Sequence, residues 1–254
     1  MNSNGNSVTD INKAKQKASR VAGIMFLFCL IVPSLNWALI LAGLIAPGDV
    51  IATANNIMAN QTQFRIGIAV ELIMSVALII LGVSLYTILK QVNRPLALLA
   101  LLWKAAEAIL VAVMVLVSLI SLLMLNGTEA LNVIAPEQIQ GAAGILLQQH
   151  TALYSILMLF LGLDMILFFY LFLKSRYIPG ILAGLGIFSF AFILIHSLMY
   201  ILAPGYASMP VNQIVFYGPS CITEIAVGIW LLSKGLDLEP HAAVASEYPD
   251  SAPA

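Results

Sequence analysis

The thirty residues from Leu96 to Leu125, LALLALLWKAAEAILVAVMVLVSLISLLML, form an apolar run that carries charge only at Lys104 and Glu107. About 20 apolar residues cross the hydrocarbon core as a helix, so this run spans a membrane with turns to spare. A charge at that depth costs at least about 2.5 kcal/mol, which excludes bare lipid as a neighbour of either residue. Three positions apart on a helix, Lys104 and Glu107 lie on adjacent faces and pair locally. One contact does not satisfy an ammonium and a carboxylate together, so other helices must pack around this one.

Apolar runs of spanning length recur along the chain. The pattern predicts spans at about 21–46, 66–89, 96–125, 143–173, 180–203 and 214–232. Residues 1–20 read as a polar cytoplasmic tail ahead of the six-helix domain at 21–235, and 236–254, rich in Ala and Pro, as a disordered C-terminal tail. The first run is too long for a signal-peptide core and is read as a retained span, kinked at Pro33. Between the first two spans, Asp49 is placed to cap a short helix on the membrane surface.

Basic residues set the orientation, because Lys and Arg in short loops stay on the cytoplasmic side. The N-terminal tail, the turns KQVNRP and KSRYIP, and Lys234 hold nine of the eleven Lys and Arg residues. Arg65 alone falls on the other side, and Lys104 lies within the membrane. The expected architecture is therefore an all-α, polytopic integral membrane protein, a six-transmembrane-helix bundle with both termini cytoplasmic.

Composition adds exclusions. With 61% hydrophobic and 9% charged residues, the chain is neither a soluble domain nor a disordered one. A formal net charge of -1 gives no basic field for nucleic acid, so the lipid bilayer is the expected partner. Oligomeric state is left open. Cys29 and Cys221 both fall in apolar runs and read as small buried hydrophobes, with no disulfide implied. A Gly180/Gly184 small-xxx-small pair suggests close helix packing on the fifth span.

Four segments in order, GDVIATANNIMANQTQFRIGIAVEL, VNRPLALLALLWKAAEA, RYIPGILAGLGI and TEIAVGIWLLSKG, resemble the domain-of-unknown-function family 4386 of bacterial multi-pass membrane proteins. The resemblance covers about 18–235 and departs at Lys104, where an Arg is expected, keeping the cation but losing the two-pronged fork. It implies this fold and the bacterial inner membrane as location, and carries over no activity and no functional residue.

The remaining ionisable residues of the spans fall into two depth groups. Glu71, His150 and His196 lie five to seven residues from a helix end on the outer side, where with Tyr154 and Tyr200 they are candidates for a ligand-binding chamber. Lys104, Glu107, Asp164 and Glu224 lie nearer the midplane and form a candidate buried charge network. On the fourth span, His150, Tyr154, Leu161 and Asp164 share one edge. Three functions compete: a binder or transporter of a small ligand or lipid, an intramembrane metal-dependent enzyme using His150, His196 and Glu71, and a scaffold or regulator. No cofactor is expected; the enzyme reading alone calls for a metal ion, and the sequence holds no HExxH-type spacing to support it.

The topology has a direct check. A reporter fused after Ser251 and one inserted at Gly127 are expected on opposite sides of the membrane; activity on one side for both refutes the six-span arrangement.

Overall fold

In a computed structural model, the described residues are 3–127, 135–148, 150–203, 205 and 209–238, excluding the side chains of 3–8, 148, 150–152, 210 and 213. Among them every element is helical: α1 (Ser3–Asn36), α2 (Val50–Ala59), α3 (Gln61–Leu89), α4 (Arg94–Leu125), α5 (Pro136–Gln148), α6 (His150–Ser175), α7 (Gly180–Leu202) and α8 (Pro210–Ser233). Six are long and apolar enough to cross a membrane, within α1, α3, α4, α6, α7 and α8. The protein is an integral, multi-pass membrane protein.

Local differences from the sequence reading have physical causes. Residues 3–20, read as a tail, continue the helix of the first span, because nothing in that stretch breaks the backbone ladder. Past Pro33, α1 passes into a π-helical turn over Trp37–Leu41. Proline supplies no N–H to the Cys29 carbonyl one turn back, and next to it the Ser34 hydroxyl donates to the Leu30 carbonyl at 2.6 Å. The expected fourth span from about 143 is two helices, α5 and α6, with only the latter apolar over a spanning length. Asp49 caps α2 as expected, its Oδ1 accepting from the Ala52 N–H at 2.8 Å. The proposed tail beyond 238 lies outside the described residues.

The packing pairs are α1 with α3, α3 with α4, α4 with α6, α6 with α7, α7 with α8, and α8 back onto α1. The spans therefore close into a ring in chain order, each antiparallel to its neighbours. Outward faces present bare apolar side chains, Ile181, Leu202 and Ile222 among them, as lipid requires. Helices α2 and α5 pack on each other, and α5 packs on α4, at the ring end away from the termini.

At the other end the chain is clasped shut. Gln16 on α1 donates from Nε2 to the Leu236 carbonyl at 2.7 Å and accepts from the Leu236 N–H at 3.1 Å. Lys15 donates to the Tyr177 hydroxyl at 2.7 Å and sits 4.8 Å from that ring's centroid. The Asp237 N–H donates to the Tyr177 carbonyl at 3.0 Å. Residues 236 and 237, read as the start of a disordered tail, are thus fixed, and Lys15 and Asp237 both meet the α6–α7 turn at Tyr177.

Ring closure depends on glycine at the α1–α8 seam. A Cβ on Gly23 would stand 2.8 Å from the Gly228 carbonyl oxygen, a backbone atom that has no room to move aside. Gly180 and Gly184 serve no such purpose, since an added Cβ finds one contact at 3.8 Å at the first and open space at the second. That sequence reading is corrected: small residues were noticed, but which helix faces them was not legible. Gly23→Val is expected to cost about 1–3 kcal/mol by overpacking. Gly184→Val should stay within about 0.5 kcal/mol of wild type. Chemical unfolding in detergent measures both, and equal effects would contradict the seam.

Candidate functional site

The site grows from Lys104. Its side chain is fully buried, as are those of Glu107 and Asp164 to within 2%. Lys104 Nζ donates to Glu107 Oε2 at 2.7 Å, the i, i+3 contact that helix geometry allows. The same nitrogen lies 3.0 Å from Asp164 Oδ1 on α6, an ion pair between two spans. Neither Asp164 oxygen accepts a hydrogen bond from the described residues, so that contact is ionic attraction without hydrogen-bond alignment. Gly82 on α3 makes room for the lysine stem, for a Cβ there would fall 2.9 Å from Lys104 Cγ. Beside this, Ser75 pins α3 to α4 by donating to the Ala108 carbonyl at 2.8 Å.

These charges share one level. Lys104, Asp164 and Glu224 lie nine to eleven residues from the terminal-side ends of their helices, roughly 15 Å and thus half the hydrocarbon thickness. Glu224 on α8 is in electrostatic range of Lys104 and Glu107, yet accepts no hydrogen bond from the described residues.

Above this floor the ring encloses a chamber of about 410 Å³. All six spans line it, with Leu, Met and Ile side chains on the walls and Lys104, Glu107 and Glu224 among the polar groups. Ser34 and Trp37 line it and are also exposed, so it reaches the protein surface beside the Pro33 end of α1. A second cavity of about 570 Å³ runs under the π turn, the loop at Pro47 and Gly48, and Leu147 of α5. Trp37 and Glu71 line both, which makes them the junction between the two spaces.

The residues singled out from sequence fall in different places. Glu71 and Tyr154 line the chamber. His196 does not; its Nδ1 lies 3.0 Å from the Tyr217 hydroxyl and its ring packs on Phe216 and Tyr217. It reaches the chamber only through Tyr217, which is part of the wall. Tyr200 is half-buried on α7, away from the lining. The His150 side chain lies outside the described residues, so the trio of His150, His196 and Glu71 is not assembled from them. Among the described residues no group of three His, Cys, Asp or Glu is placed to hold a metal ion.

Sequence reasoning passed over Trp37 and Tyr217 and gave Cys29 and Cys221 no place in a chamber, yet all four line it. A signal was there. Tyr217, Ser220, Cys221 and Glu224 fall at i, i+3, i+4 and i+7, one helical stripe, as do Cys29, Pro33 and Trp37 at four-residue steps. The cysteines are half-buried against a cavity, where the sequence reading made them buried hydrophobes.

Fold and site together define a class: a six-span integral membrane protein whose helices close around an internal chamber floored by buried charge. The chain belongs to the family described as domain of unknown function (DUF4386), whose model matches residues 21–235. No curated protein and no solved structure matches it.

Glu107 carries a testable consequence. Glu107→Ala is expected to lose about 1 kcal/mol more stability than Glu107→Gln, because the amide oxygen still accepts from Lys104 while the methyl does not. Equal losses in detergent melting would mean that the Lys104–Glu107 hydrogen bond does not hold the site together.

Proposed function

We propose that this protein binds, and in a membrane setting transports, a small amphiphilic molecule or lipid held in the chamber of the helix ring. The observation that supports this reading is the chamber itself: about 410 Å³ of space between six spans, apolar on its walls and charged at its floor. A volume of that order suits a small organic ligand, and mixed walls of this kind orient an apolar body against a few polar groups. Tight bundles do not leave such space without cause, since protein interiors pack to crystal-like density.

The second cavity, joined to the first at Trp37 and Glu71, supports entry from the end opposite the termini. With nine basic residues on the terminal side, we place that side in the cytoplasm and the protein in a bacterial inner membrane. Entry is then from the periplasmic half. The metal-dependent reading has no supporting ligand group among the described residues.

Trp37 is one of three tryptophans, so a Trp103→Phe, Trp230→Phe background leaves a single reporter at the chamber. Titrated with 1-N-phenylnaphthylamine in nanodiscs, that protein should show saturable energy transfer from Trp37. Adding Val111→Phe and Met114→Phe, which fill the chamber, should abolish saturation. A linear, unsaturable rise in both proteins would show only partition into lipid and would overturn the reading.

A further inference from the structure

The charge balance of the chamber floor identifies the polar end of its ligand. Lys104 is the one cation of the floor among the described residues, and its ammonium is taken up at 2.7 Å by Glu107 and 3.0 Å by Asp164. Glu224 then adds a third carboxylate within range of the same lysine. It lines the chamber, is only partly covered, and accepts no hydrogen bond from the described residues. Glu224 in its ionised form needs a compensating partner inside a membrane, and the closest contacts of the lysine are already with Glu107 and Asp164.

Resting on the chamber reading above, we propose that the ligand is an amphiphile with a cationic amine head, which docks on Glu224 while its hydrocarbon body fills the Met- and Leu-lined space. Three features of the lining favour an organic cation over a bare ion. A hard metal ion takes six or more oxygen ligands, and no three-residue ligand group is present among the described residues. Apolar side chains, chiefly Leu and Met, make up most of the walls, which suits a hydrocarbon tail and repels a hydrated ion. Tyr217, on the same helical stripe as Glu224, lines the same space, and aromatic faces attract ammonium groups. An anionic head would meet Glu71, Glu107 and Glu224 with only a lysine that is already paired.

The test uses the full chain in dodecylmaltoside micelles and three probes with the same twelve-carbon tail: dodecylamine, dodecanol and dodecanoate. Competition against radiolabelled dodecylamine gives their relative affinities. Wild type should hold the amine about tenfold more tightly than the alcohol, as a charge-assisted hydrogen bond to a carboxylate implies, with the carboxylate weakest. Glu224→Gln should reduce the amine to the level of the alcohol and leave the alcohol unchanged, which also reports that the variant is folded. If amine and alcohol bind wild type equally, or if the preference survives Glu224→Gln, the cationic assignment is wrong while the chamber stands. Tightest binding of dodecanoate assigns the head to Lys104 and overturns the proposal. Retention of no probe removes the chamber reading with it.

Discussion

A lysine at mid-membrane cannot face lipid, and the structure follows from where Lys104 finds its partners. The ammonium contacts Glu107 on its own helix and Asp164 on α6, all three side chains buried. Two carboxylates from two spans around one cation fix the rotation of α4 and α6 relative to each other, because turning either helix would expose an unpaired charge. Breaking such a buried pair costs about 3–5 kcal/mol, a large share of the stability of a typical domain. Gly82 lets α3 approach the lysine stem, and Gly23 with Gly228 brings α8 onto α1. The charge determines which faces point inward; the small residues determine how closely the ring closes.

A ring of six helices around a central charge cluster has an interior wider than side chains of this composition fill. That interior is the chamber. At the floor the carboxylates outnumber the lysine, while apolar side chains, chiefly Leu and Met, make up most of the walls. Pro33 lies near the end of α1, and the π turn that follows it begins at Trp37, which borders both cavities. Irregular backbone at membrane depth is tolerated where it lines a cavity, and π turns frequently mark functional positions. At the terminal end the ring is tied together through Gln16, Lys15 and Tyr177, and the chamber's exposed lining residues, Ser34 and Trp37, lie at the opposite end.

Much of this was legible in the residues alone. The six spans, the pairing of Lys104 with Glu107, and the placing of Asp164 and Glu224 at the same depth follow from hydropathy, helix period and the cost of charge in lipid. Ring closure was not, because an apolar face reads the same whether lipid or another helix covers it. For that reason Gly180 and Gly184 suggested a contact that the fold lacks, whereas Gly23 carries one. His196 was placed by depth, yet depth says nothing about rotation, and the ring turns toward Tyr217. Tyr217, Cys221 and Glu224 form a stripe that a face-by-face reading of the sixth span would have exposed.

The central claim is that Lys104 and Asp164 join α4 to α6 and hold the floor of the chamber. A double-mutant cycle with Lys104→Met and Asp164→Asn, read as unfolding free energy in mixed micelles, measures that link directly. The account predicts a coupling of about 2 kcal/mol or more, with the double variant more stable than the two single losses added together imply. A coupling within about 0.5 kcal/mol of zero would mean that the two residues act independently, and would contradict the account.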